Sequence, residues 1–240
     1  MLTRSFEVLP AIDVLAGRVV RLSEGRREAV TLEGGEPEAL ARRFRDEGAA
    51  RLHVVDLDGA FDGAPTPALL ERLAAATSLP IQVGGGYRTL AAIETALGAG
   101  ADRVMLGTAA LDRDFLDRAV AQFGDALVVA VDVRDGMVAA SGWTETSATP
   151  AVEHAARCAE VGVARLLVTS THRDGSLGGP DLDLLATVAA VGLPVIAAGG
   201  VASLADLVAV RDLGCEGAIA GSALLAGRFT LPEALAAVAG

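Results

Sequence analysis

Two aspartates, Asp13 and Asp132, each close a short apolar run, LPAIDV in the first half of the chain and VVAVDV in the second. Paired carboxylates facing one substrate can divide an acid–base reaction, one removing a proton and the other donating one, each step being worth about 10²–10⁴-fold in rate. The apolar residues ahead of them (AID, AVD) predict a desolvated setting, which raises a carboxyl pKa and can keep one of the pair protonated as an acid. Taken singly, either residue reads equally well as a helix cap or an arginine partner. Its recurrence at an equivalent place in the other half favours chemistry.

Glycine motifs repeat in the same register. Gly84-Gly85-Gly86 with Arg88, followed by Gly107-Thr108, is echoed by Gly199-Gly200, followed by Gly221-Ser222. A glycine-rich strand end that leads into a helix offers bare N–H donors and a positive dipole end, which suits a phosphate. One such turn is weak evidence, more often a tight turn than a cradle. Two pairs imply a long ligand with a phosphate at each end.

Asp174-Gly175 and Thr169 stand beside the second cradle; an Asx turn is the simpler role for Asp174 alone. Arg18 and Arg21 could close over an anion from a polar insertion. Trp143, flanked by Ser, Gly and Thr, suits stacking on a planar ring better than a core position. His172 reads as an incidental loop histidine, and His53 and His154 have no evident partners. No His/Asp/Glu set has metal-ligand spacing, so no metal is expected.

Something must bring these residues together. Short β-branched runs are expected to form strands near Val8–Asp13, Arg51–Asp56, Ile81–Val83, Arg103–Leu106, Leu127–Asp132, Arg165–Thr169, Val195–Ala197 and Gly217–Ala220. Helices are expected near Glu38–Glu47, Ala68–Ala76, Leu90–Leu97, Asp112–Gln122, Pro150–Val161, Leu182–Val191, Leu204–Asp212 and Pro232–Val238. The strand runs are apolar on both faces, which predicts a buried parallel sheet. Eight strand–helix units at this length predict a single α/β domain over residues 1–240, a (β/α)8 barrel of two half-barrels, about 1–122 and 123–240. A doubly wound open sheet is the competitor. Two long loops, Gly17–Gly35 and Asp135–Ser147, occupy equivalent places and are expected over one mouth.

Bulk composition narrows the chemistry. The net charge of −11 argues against nucleic acid. The chain has no lysine, which excludes Schiff-base catalysis and covalent pyridoxal phosphate attachment. No apolar run reaches the roughly 18 residues of a membrane span, and MLTRSFEVLP has no signal-peptide pattern. Cys158 and Cys215 form no disulfide framework, so a reducing cytoplasm is the expected compartment.

The motifs LPAIDVLAGRVVRL, HVVDLDGA, QVGGGYR, GTAAL, VDVRDG with SGW, VTSTHRDGSLGGPDLDLL, AAGGV and GAIAGSAL follow in order over nearly the whole chain. In this they resemble the phosphoribosyl isomerases of histidine biosynthesis. That resemblance implies a duplicated barrel, no cofactor, and an Amadori rearrangement of an aminoaldose to an aminoketose on a bisphosphate imidazole-carboxamide ribonucleotide. It implies Asp13 as the base at C2 and Asp132 as the acid for ring opening. Thr169 would hold the opened sugar, and Asp174 matches a family aspartate implicated in the same step. The duplicated glycine motifs would bind the two phosphates. A bifunctional branch that also acts on phosphoribosylanthranilate carries an arginine where Ser141 stands, so a single activity is expected. The related tryptophan isomerase has a cysteine in place of Asp13, and the related cyclase starts Cys-Leu-Asp where this chain has Ala11-Ile12-Asp13. A non-catalytic phosphate-binding barrel is the reading from another class. A monomer with a small bisphosphate substrate is expected.

Overall fold

The computed structural model describes residues 6–22, 30–33 and 35–239. In chain order the first half contains β1 (Glu7–Leu15), β2 (Arg18–Leu22), β3 (Val30–Glu33), α1 (Pro37–Asp46), β4 (Leu52–Asp56), α2 (Leu57–Asp62), α3 (Pro67–Thr77), β5 (Ile81–Gly84), α4 (Leu90–Gly98), β6 (Arg103–Leu106) and α5 (Arg113–Phe123). The second contains β7 (Leu127–Arg134), β8 (Met137–Ala140), β9 (Glu145–Pro150), α6 (Ala151–Val161), β10 (Leu166–Ser170), α7 (Leu182–Ala189), β11 (Val195–Ala198), α8 (Leu204–Asp212), β12 (Gly217–Ala220), α9 (Ser222–Leu225) and α10 (Leu231–Val238). The eight expected strands and eight expected helices lie within two residues of these bounds.

Strands β1, β4, β5, β6, β7, β10, β11 and β12 pair in parallel in that order, and β12 returns to β1. The ring is closed, a (β/α)8 barrel, and no barrel strand is left with an open edge. Alternate residues then face opposite sides. Val8, Ile12, Val14, Val54 and Val83 pack outward against the helices, while Leu9, Ala11, Met105, Val128, Leu167, Ile196 and Ile219 fill the inside.

Local signals fix where helices begin. Ser203 and Asp206 form a capping box on α8, as Thr230 and Glu233 do on α10, while the side chains of Thr89, Asp112 and Asp181 cap α4, α5 and α7. Each cap satisfies amide donors that a helix cannot pair internally.

The two expected loops are corrected by the structure. Both contain β-structure: β2 folds back antiparallel on β1 and pairs with β3, and β8 folds back on β7 and pairs with β9. Tight turns at Ala16-Gly17 and Asp135-Gly136, all with positive φ, allow the reversals. Residues 23–29 and 34 of the first insertion lie outside the described residues.

The opposite, N-terminal end of the barrel is closed by ions. Arg165 donates to Glu216 (3.0 Å) and to the carbonyl of Asp125 (2.9 Å), Arg51 pairs with Glu7 and Asp102, and Arg103 lies 3.6 Å from Glu216. Removing one partner from a buried ion network strands the others, at a cost of about 3–5 kcal/mol. Glu216→Gln is therefore expected to lower the unfolding free energy by about 3 kcal/mol while leaving kcat unchanged. Urea denaturation and steady-state kinetics check both.

Candidate active site

At the C-terminal end of the strands the barrel opens into a cavity of about 280 Å³. Its floor is roomy because the inward positions Ala11, Ala130 and Ala198, on β1, β7 and β11, carry only a methyl group. One layer higher stand Asp13 on β1 and Asp132 on β7, strands that lie opposite each other on the ring. Thr169 of β10 is in register beside Asp132, and Asp174 enters from the segment after β10. Three carboxylates thus share one pocket.

They are not equivalent. Burial raises the pKa of Asp132, and the Trp143 indole and Thr169 hydroxyl, which hydrogen-bond to its charged form, pull it back down. Asp174 is pushed up to about 6, first by burial and then by the charge of Asp13; Arg21 opposes this, Asp132 adds to it, and the Gly175 amide opposes it. Asp13 is held by Arg21, whose Nη1 donates to Oδ2 at 2.6 Å. Both side chains are mostly buried, at 15% and 18% exposure, so the pair is not a solvated surface contact.

Arg21, which the sequence places in a polar insertion, stands on β2, paired with β1, with its guanidinium over Gly221; a Cβ on Gly221 would lie 1.8 Å from Nη2. It therefore touches both the candidate base and the second cradle. Arg18 faces away and pairs with Glu36 at 2.5 Å.

The expected cradles lie at two ends of the mouth. Gly85, Gly86, Arg88, Gly107 and Thr108 line the large cavity, and Gly175, Gly199, Gly200, Gly221 and Ser222 line a smaller recess joined to it through Arg21 and Asp174. Gly86 and Gly200 do more than leave room for a ligand. Both have positive φ, and a Cβ on either would collide with a carbonyl oxygen, that of Gly59 at 2.0 Å or of Gly179 at 2.2 Å. These glycines dock neighbouring segments in both halves. Arg88 donates to the Ala60 carbonyl at 3.2 Å, and the Thr108 hydroxyl accepts from the Ser141 amide at 2.9 Å, joining the first cradle to the β8–β9 hairpin.

Other sequence expectations fare differently. Trp143 sits in the β8–β9 turn with φ 69° and reaches Asp132 from above. His172 is exposed at the rim, 3.3 Å from Asp135. His154 is buried in α6 beside Cys158. Asp58, which opens an Asp-Gly pair in the first half as Asp174 does in the second, accepts from the Ala16 amide at 2.7 Å and steadies the β1–β2 turn. His53 lines the cavity and hydrogen-bonds to Gln82, a partner 29 residues on, beyond two helices, that nothing in the local pattern announces. Among the described residues no group of three or more His, Cys, Asp or Glu side chains is placed to hold a metal ion, and no helix is long and apolar enough to cross a membrane.

A closed barrel whose strand ends carry opposed acids between two glycine cradles is the frame of an acid–base enzyme for a phosphorylated ligand. The chain matches the histidine biosynthesis protein family over residues 7–230 and belongs to it. A relative from Moorella thermoacetica is 48% identical, with 97% of this chain and 98% of the relative covered. One from Roseiflexus castenholzii is 45% identical over 96% of this chain and 99% of its own length. Another, from Sphingopyxis alaskensis, is 48% identical over 96% and 97%. All three are named 1-(5-phosphoribosyl)-5-((5-phosphoribosylamino)methylideneamino)imidazole-4-carboxamide isomerase.

The raised pKa of Asp174 gives a stability prediction. Between about pH 4 and 6 the folded chain keeps a proton on this carboxyl that the unfolded chain has lost, so its contribution to stability falls as pH rises through that window. Asp174→Asn is expected to stabilise the protein at pH 7.5 by up to about 3 kcal/mol, with the gain vanishing below about pH 4. Thermal unfolding of both proteins across that range checks it.

Proposed function

We propose that the chain is a cofactor-free aldose–ketose isomerase that rearranges the aminoaldose of an imidazole-carboxamide ribonucleotide bearing two phosphoribosyl groups, a step of histidine biosynthesis. The observation that carries this reading is the meeting of Asp13, Asp132 and Asp174 in one cavity flanked by two glycine cradles. Its family membership and the names of its relatives agree with it.

Asp132, kept toward its protonated form by burial, donates to the furanose ring oxygen. The C1–O bond breaks as the glycosylamine nitrogen forms a C=N bond to C1. Asp13 then takes the proton from C2, leaving an enolamine; Asp13 gives a proton to C1 as the enol hydroxyl gives its own to Asp132 and becomes the ketone, so both carboxyls are restored and the reaction neither gains nor loses atoms. Asp174, pushed up to about 6, is a second proton store for the ring-opening step. Thr169 holds the opened sugar, and Trp143 stacks on the planar imidazole. The Gly85-Gly86, Arg88 and Gly107-Thr108 end takes one phosphate; Gly175, Gly199-Gly200, Gly221-Ser222 and Arg21 take the other.

Ser141 supports a single substrate. It occupies the β8–β9 turn, where its amide bonds to Thr108 and its hydroxyl to Glu145 (3.1 Å), so no cation from this position enters the cavity. Closure of the sheet into a ring supports a monomer, and two buried free thiols, Cys158 and Cys215, suit the cytoplasm.

Asp13→Asn is expected to lower kcat on the bisphosphate substrate by at least ~10²-fold with KM nearly unchanged. Wild-type protein is expected to leave phosphoribosylanthranilate unchanged in the same assay. Near-wild-type turnover by Asp13→Asn would remove the base, and turnover of the second substrate would make the enzyme bifunctional.

A further inference from the structure

One layer below the carboxylates lies a buried polar pair, His53 on β4 and Gln82 on β5, side by side in the parallel register. The Gln82 amide nitrogen is 3.1 Å from Nδ1 of His53 and 3.6 Å from the sulfur of Met105. Its two protons therefore meet a ring nitrogen and a thioether, and the thioether can only accept. Turning the amide over would set its oxygen against that sulfur with no proton between them. It would also move both N–H donors to the place where Oε1 now has no partner. A buried carbonyl tolerates being left unpaired better than an N–H donor does, so the observed orientation is the favoured one.

An amide that donates to Nδ1 leaves the imidazole proton on Nε2. Burial also keeps the ring neutral, lowering its pKa to about 4; the nearby Asp13 charge opposes this and Arg21 reinforces it. His53 is in register with Ala11, two residues before Asp13, and both His53 and Ala11 line the cavity floor. With Nδ1 tied down to Gln82, the polar atom left for a ligand is Nε2.

We propose that Gln82 is a positioning residue that locks His53 as its Nε2–H tautomer, making His53 a fixed neutral donor to the oxygen on the carbon that Asp13 deprotonates. This rests on the isomerase reading given above. In that reaction the electrons of the C2–H bond pass to the imine nitrogen, and negative charge comes to the C2 oxygen afterwards, as the enolamine hydroxyl gives its proton to the ionised Asp132 and becomes the ketose carbonyl. A neutral donor already aimed at that oxygen stabilises the charge without taking part in proton transfer. His53 gains and loses no proton; the C2 proton goes to Asp13.

The test begins on the unaltered protein. Nitrogen-15 NMR of its three histidines, with His53 assigned through His53→Asn, is expected to show a pyridine-like Nδ1 and a pyrrole-like Nε2 for His53. A protonated Nδ1 in the wild-type spectrum overturns the lock, whatever the enzyme's activity. Glu in place of Gln accepts instead of donating, so Gln82→Glu is expected to move the proton to Nδ1 and to lower kcat by about 10²-fold with KM changed less than about threefold. A shifted tautomer with unchanged kcat overturns the catalytic role. Should Gln82→Glu not fold, His53→Gln, which keeps an N–H donor, is expected to retain at least about tenfold more kcat than His53→Leu; equal losses overturn the donor role. Wild-type turnover of the bisphosphate substrate is the control that separates these outcomes from failure of the isomerase reading itself.

Discussion

Like charges brought into one buried cavity oppose one another's ionisation, and this constraint orders the site. Asp13, Asp132 and Asp174 share one pocket with two guanidiniums, of which that of Arg21 bonds to Asp13 and that of Arg88 to the Ala60 carbonyl. Asp132 and Asp174 are left to burial, which favours their protonated forms. The carboxyls therefore differ according to which of them an arginine bonds. Arg21 reaches Asp13 because β2 folds back antiparallel on β1.

The barrel supplies this geometry through the identities of a few inward residues. Alanines at Ala11, Ala130 and Ala198 keep the floor low, whereas Leu9, Val128 and Ile196 fill the layer beneath. Closing the opposite end with Arg51, Arg103, Arg165, Glu7 and Glu216 separates stability from chemistry, since the ion network and the carboxylates lie at opposite ends of the strands. The duplication is visible in how the loops dock: Gly86 against Gly59 in one half, Gly200 against Gly179 in the other. It is broken at one Asp-Gly pair: Asp58 holds a turn, and its counterpart Asp174 faces the cavity.

The strands and helices were legible because parallel-barrel strands are apolar on both faces and the helices carry explicit caps. The recurrence of Asp13 at Asp132 and of the glycine motifs pointed to the mouth, since equivalent residues in a duplicated barrel rise at the same end. Less could be read where a contact joins distant segments. The ion pair of Arg21 with Asp13 depends on a hairpin whose polar sequence resembles a loop. His53 lacked a visible partner because its neighbour across the strand gap, Gln82, is revealed only by register. Trp143 reads from its neighbours as a ring-stacking residue; that its indole also bonds to Asp132 follows from the positive φ of the hairpin turn, which composition does not disclose.

The central claim is that the strand-one carboxylate takes the hydrogen from carbon 2 while the opposed acid opens the ring. Its most direct test is deuterium transfer from substrate labelled at that carbon, followed by mass spectrometry of product and solvent. The wild-type enzyme is expected to release the label from carbon 2 at the rate of turnover, and Asp13→Asn to release it at least ~10²-fold more slowly. Release of the label by Asp13→Asn at the wild-type rate would contradict the claim.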